Sequence, residues 1–84
     1  MDAGKHADKI SLELARELRA RREGLHLSMN EVATRAGLAV SFIGYLETGQ
    51  RKPSVETLSR LATAFGCRAF EILEAAERKA GGRS

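Results

Sequence analysis

Side chains suited to covalent or metal chemistry are few in this chain and lie far apart. His6 sits in a polar, charged opening stretch, His26 sits between two helical segments, and Cys67 is the lone cysteine. Neither histidine has a cysteine or acidic partner at metal-ligand spacing. No paired carboxylates, nucleophile motif or glycine-rich phosphate loop stand out either. The expectation is therefore no enzyme, no metal and no cofactor. The spacing that does carry chemistry is that of a binding surface, the block from Ser28 to Gly49, SMNEVATRAGLAVSFIGYLETG. Ala33 is small enough to let a second helix approach, and Gly37 can take the positive φ of a tight turn. Ile43 and Leu46 then anchor the following helix by one face. Two short helices joined in this way leave the outer face of the second free to enter a DNA major groove.

The elements that must position this block follow from periodicity and capping signals. Residues 1–9, MDAGKHADK, are polar and without periodicity, so a loose tail is expected there. Ile10, Leu14 and Leu18, with Ala15 beside them, form one stripe of a first helix running from about Ile10 to Glu23, and Gly24 is its expected C-terminal cap. Ser28 with Glu31 makes a capping box for a second helix, which Gly37 ends. A third helix spans Val40 to Thr48 before Gly49. The loop Gln50-Arg51-Lys52-Pro53 cannot stay helical into the proline. Ser54 is the N-cap of a fourth helix, whose Leu58, Leu61, Ala62 and Phe65 face inward until Gly66. A fifth helix runs from about Ala69 to Lys79, and residues 81–84 form a frayed end. The reading is an all-α, compact five-helix bundle, a single domain over residues 10–80.

Composition agrees with this architecture and narrows its partners. The chain has 84 residues, enough for one small core, with 43% hydrophobic and only 5% aromatic residues. Fourteen Lys and Arg against eleven Asp and Glu give a formal charge of +3, which permits nucleic-acid binding without proving it. Placement says more than the total. Glu47 is the only acid between Val32 and Val55, and an apolar setting would keep it off the surface. The face from Val40 to Lys52 is then neutral to basic. A lone cysteine cannot form an internal disulfide and fits a reducing cytoplasm, and Cys67 reads as a small core residue. No apolar run is long enough to cross a membrane, and no signal-peptide stretch opens the chain. A soluble cytoplasmic protein is expected.

The stretch from Leu14 to Leu73 resembles the phage repressor and Cro-like helix-turn-helix domain, the XRE family. The matching pieces are L-A-R-E-L-R-A-R-R, L-S-M-N-E-V-A, G-L-A-V-S-F-I-G-Y-L-E-T-G and P-S-V-E-T-L-S-R-L-A-T-A-F-G-C, in order and at the family's separations. The resemblance implies a DNA-binding transcription regulator with a lambda repressor-like domain and residue roles to match. Arg22 and Glu47 would form an internal salt bridge, which also answers the cost of burying Glu47 unpaired. Val40, Ser41, Phe42, Gly44 and Tyr45 match base-reading positions. Val40 and Phe42 would touch thymine methyls, while Ser41 and Tyr45 would offer hydroxyls. Phe42, beside Ile43, also reads as a core aromatic, and Val40 as packing at the helix start. Gly44 fits either a close approach to DNA or a helix that orders fully on binding.

Phosphate contacts are implied at Met29 and Asn30, at the start of the second helix, and at Thr48, Gln50, Arg51, Lys52 and Ser54 around the loop. Met29 stands where the family usually has Gln, and Ala39 stands where Ser or Thr usually caps the third helix. Family members usually bind double-stranded DNA as two-fold dimers. The apolar surplus of Phe70, Ile72, Leu73, Ala75 and Ala76 in the last helix suits a homodimer interface, or else a helix folded flat on its own core. Two narrower or rival readings stay open. One is a restriction-modification controller; the other is a protein-binding module, such as the antitoxin or adaptor of a toxin–antitoxin pair with an unknown protein partner.

Overall fold

Capping residues and apolar stripes set the helices of the computed structural model, which describes residues 2–81. Five helices occur among these residues, with no strand: α1 Ala3–Gly24, α2 Met29–Ala36, α3 Val40–Thr48, α4 Val55–Phe65 and α5 Ala69–Lys79. Ser28 Oγ accepts from the Glu31 N–H at 3.0 Å while Glu31 Oε1 accepts from the Ser28 N–H at 2.8 Å, so the capping box that opens α2 is complete. Ser54 Oγ accepts from the Thr57 N–H at 3.1 Å and opens α4 in the same way. Ala39 has no side chain to offer α3.

Two expectations about α1 need correction. The helix begins at Ala3 rather than near Ile10, inside the stretch expected to be loose. Asp2 caps it, its Oδ1 accepting from Gly4 N–H at 2.9 Å, and Ala3, Lys5, Ala7 and Lys9 extend the helix with little apolar contact. The exit is also displaced. Gly24 is the last helical residue, and the left-handed residue is His26, at φ 57°. The His26 N–H donates to Glu23 O at 3.0 Å and the Leu27 N–H to Arg22 O at 3.0 Å, a Schellman closure around His26. Burial of Leu27 just beyond it fixes that register. At the other end of the chain Gly81 lies in a turn, and the rest of the expected frayed end, residues 82–84, lies outside the described residues, as does Met1.

One core joins all five helices. Leu18, Val32, Ile43, Leu46, Leu61 and Ile72 are its largest fully buried side chains, each contributing about 1.5–3 kcal/mol by burial. α1 lies along α5 and α3, α2 along α3 and α4, and α4 along α5. Cys67 is half-buried against this core. Among the described residues no helix is long and apolar enough to cross a membrane.

Candidate nucleic-acid interface

The turn between α2 and α3 fixes the candidate surface. Gly37 adopts φ 70°, a left-handed conformation that calls for glycine, and a Cβ there would stand 3.0 Å from Nη1 at the flexible tip of Arg60. Arg60 of α4 donates to Ala36 O at 3.2 Å, holding a carbonyl at the end of α2. Nothing in the sequence marks Arg60 for this, because Glu56 one turn earlier makes it look like half of a solvated helix pair.

α3 is sharply two-sided. Ile43 and Leu46 are 2% and 1% exposed, whereas Val40 and Tyr45 are 43% and 44% exposed. Ser41 and Thr48 are exposed with them, and half-buried Gly44 lies between, so Val40, Ser41, Gly44, Tyr45 and Thr48 make up the outer face. Phe42 is turned more toward the core than these residues, its ring partly buried and packed against it. Its neighbour Ile43 points inward, and a step of one residue rotates a helical side chain by only about 100°.

An ion pair holds α3 against α1. Arg22 Nε donates to Glu47 Oε2 at 2.7 Å and Nη2 to Oε1 at 3.0 Å, a bidentate bridge whose side chains are 12% and 4% exposed. Arg22 Nη1 also donates to Leu27 O at 3.0 Å. The hydrogen bonds to Glu47 push the Arg22 pKa above its ordinary value. A second charged cluster, unforeseen in the sequence, joins α1 to α5. Buried Glu17 accepts from Arg21 Nε at 2.7 Å and lies 3.6 Å from Lys79 Nζ. Only packing of α5 on α1 brings Lys79 within reach, so no local spacing announces it.

Around α3 the expected phosphate-contact residues gather at two places. Met29 and Asn30 are exposed at the open end of α2, where main-chain N–H groups lack helical partners. Gln50, Arg51 and Lys52 are exposed beyond α3, and the Arg51 N–H donates to Tyr45 O at 3.1 Å, tying the loop to the helix. The Thr48 hydroxyl donates to Tyr45 O at 3.2 Å. The Ser54 hydroxyl is committed at the start of α4, accepting from the Thr57 N–H and donating to Thr57 Oγ1 at 3.0 Å. Of the flanking acids, Glu31 sits in its capping box and Glu56 pairs with Arg60 at 3.1 Å, while Asp8 of α1 lines a groove with Thr48, Arg51 and Lys52. Hydrogen bonds from the Ser28 backbone N–H and hydroxyl hold the Glu31 pKa below its ordinary 4.5.

The expected dimer face of α5 divides in two. Ile72 and Ala76 are fully buried in the core and are withdrawn from any interface. They recur at a four-residue step and form the inner stripe. Phe70 and Leu73 are 57% and 39% exposed, with the Arg68 guanidinium 5.4 Å from the Phe70 ring centre. Among the described residues no group of three or more His, Cys, Asp or Glu side chains is placed to hold a metal ion.

A helix-turn-helix family model matches residues 18–72. The HTH-type transcriptional regulator DdrOP3 of Deinococcus deserti is 33% identical over 66 residues, covering 79% of this chain and 51% of that protein. An uncharacterized HTH-type transcriptional regulator of Mycobacterium tuberculosis is 40% identical over 47 residues, covering 56% of this chain and 34% of that protein. The chain thus spans about half, or less, of the length of the curated relatives it matches. Among solved structures, the restriction-modification controller protein C.AhdI from Aeromonas hydrophila superposes with a TM-score of 0.71 at 33% identity, covering 79% of this chain and 97% of that one. The clp gene regulator ClgR from Corynebacterium glutamicum shares the fold, with a TM-score of 0.79 at 22% identity over 84% of this chain and 76% of that one. With most of its length inside the matched region, the chain belongs to the helix-turn-helix family, of the phage-repressor (XRE) type.

Proposed function

We propose that this chain is a sequence-specific DNA-binding transcription regulator that lays α3 in the major groove and binds a two-fold operator as a homodimer. The observation that carries the reading is the two-sidedness of α3, with Ile43 and Leu46 buried while Val40, Ser41 and Tyr45 face outward. A helix anchored so completely by one side presents the other as a rigid probe. The electrostatics support it. Between Val32 and Val55 the one carboxylate, Glu47, is consumed by Arg22, so that stretch meets a polyanion with the loop cations Arg51 and Lys52, beside which Asp8 of α1 is the one acid lining the same groove. Main-chain N–H groups at Met29 and Asn30 supply a second phosphate grip, helped by the α2 dipole. Thr48 and Gln50 flank the duplex backbone, and Ser54 contributes only through its main chain.

The exposed pair Phe70 and Leu73 is the part of α5 free to meet a second copy. The likeness to C.AhdI, which spans nearly all of that controller's length at 33% identity, favours a restriction-modification controller over an antitoxin or adaptor.

Selection from random duplex DNA tests the whole proposal. The expected product is an inverted repeat with half-site centres about 34 Å apart, one helical turn. A lone half-site would end the dimer, and no enrichment even at low salt would end the regulator. On the selected duplex, replacing Arg51 and Lys52 together by Ala should weaken binding to all sequences and lower the salt slope by roughly 2. An unaltered slope assigns the loop to solvent.

A further inference from the structure

The groove between the first half of α1 and the loop after α3 has a floor and a wall that contact with DNA leaves unexplained. Its volume is about 420 Å³, within the range of sites that take small molecules. α1 supplies Asp8, Ser11 and Leu12 to one wall, a stripe at three- and four-residue steps. Arg51, Lys52 and Pro53 form the other. The floor is apolar, with Ala15 and Leu46 buried and Leu14 half-buried beside them.

Two features of the walls specify an occupant. Leu12 is 48% exposed, so an apolar side chain faces water where the groove is empty of protein atoms. Arg51 and Lys52 are exposed and join no ion pair among the described residues. Against the one carboxylate of the groove, Asp8, they leave a single positive charge in excess. An apolar floor, an uncovered leucine and one surplus cation suit a ligand with an apolar body and one negative charge. The planar fork of Arg51 matches a carboxylate, and Ser11 adds a hydroxyl donor. A phosphate monoester brings more charge than the groove offsets.

We propose that this groove is a binding site for a small carboxylate with an aliphatic body, and that filling it withdraws Arg51 and Lys52 from a duplex. The site stands on the groove alone, whereas its effect on DNA rests on the phosphate contacts proposed above for those two residues. The Arg51 N–H is bonded to Tyr45 O, so the ligand lies against the loop tied to the DNA-facing side of α3.

Octanoate is the probe, with 1-octanol, which keeps the body, and acetate, which keeps the charge, as controls. Amide NMR shifts of the full chain, at constant ionic strength, should saturate with octanoate and centre on Ser11, Leu12, Gly49 and Arg51. Each control lacks one of the two contacts and should bind at least about tenfold more weakly. Leu12→Asn, at a half-exposed position outside the core, should weaken octanoate about fivefold and leave duplex affinity unchanged when octanoate is absent. Asp8→Asn should tighten octanoate roughly twofold by removing the opposing charge. Octanoate should also weaken wild-type binding to the selected duplex, and weaken that of Leu12→Asn less. A response to octanoate no stronger than that to 1-octanol, or one spread over the whole surface, overturns the site. A groove that fills without weakening the duplex overturns the competition. Failure to select any duplex removes the regulator and leaves the titration to decide the groove alone.

Discussion

α3 and α4 are neighbouring helices of similar length, and they are stabilised by opposite means. α4 carries its own instructions. Ser54 caps it, Glu56 and Arg60 pair across one turn, and Leu61, Ala62 and Ala64 face inward. α3 is poor by every local measure, with Ala39 at the cap, Gly44 in its interior, and Val40, Phe42, Ile43 and Tyr45 among its β-branched and aromatic residues. It is a helix because the rest of the molecule holds it there, through Ile43, Leu46 and the Arg22–Glu47 bridge. The lesson is that the surface proposed to meet DNA is relieved of structural duty. Residues that would have capped or stiffened α3 locally are absent from its outer face, and the anchoring passed to groups that no duplex would touch.

The most severe way to break this contrast is to remove the outside support. Glu47→Ala leaves the Arg22 guanidinium nearly buried with only Leu27 O as a partner. The expected loss is about 3 kcal/mol, at the lower end for a broken buried pair because Arg22 keeps that one bond. In a domain of this size it corresponds to a fall of about 15 °C in melting temperature. Glu47→Gln, which keeps the shape and one acceptor, should fall between the two. A melting temperature within about 2 °C of wild type for Glu47→Ala would mean that α3 is held by apolar packing alone.

The same contrast explains what could be read from the chain before its fold was known. The ends of α2, α3 and α4 were legible because Ser28, Glu31, Gly37, Gly49, Ser54 and Gly66 act over a few residues. The inner side of α3 was legible because Ile43 and Leu46 share a face. The start of α1 was not, since an apolar stripe reports packing, whereas Asp2 and a run of good helix formers suffice for helicity. His26 took the left-handed position because burying Leu27 outweighed the preference for a glycine two residues earlier. Ile72 and Ala76 failed for one reason. Each belongs to an apolar group covering more than one face of its helix, and only the tertiary arrangement decides which face turns inward. Glu17 with Lys79, and Arg60 with Ala36 O, depend on helices distant in sequence and had no local signal at all.

Exchanging the caps of the two helices sharpens the comparison at smaller magnitude. Ser54→Ala should cost about 1 kcal/mol, since it removes the acceptor of the Thr57 N–H. Ala39→Ser should contribute about the same amount in the opposite direction, because the extended backbone at Ala39 already suits an N-cap. Urea midpoints of the two single variants and of the double variant measure this, and the double should lie near wild type because the sites do not share partners. If Ala39→Ser gives no gain, then α3 is already so fully fixed from outside that a local signal adds nothing.

The smallest effect is a dependence on pH, and it comes from α2, which is locally capped like α4. Glu31 accepts from the Ser28 N–H and stands in the first turn of α2, where the helix dipole also favours negative charge. Its folded-state pKa is lowered from 4.5. A lowered carboxylate stabilises the fold fully above its unfolded value and loses that contribution as the pH falls through the folded value. Glu31→Gln can still accept the same hydrogen bond but without charge assistance. Wild type should therefore exceed Glu31→Gln in stability at about pH 7, and the gap should close as the pH falls below 4.5. The difference between the urea midpoints of the two proteins isolates Glu31. A gap that stays constant down the acid range would show that the neutral box serves α2 as well as the ionised one, and local capping would then owe nothing to charge.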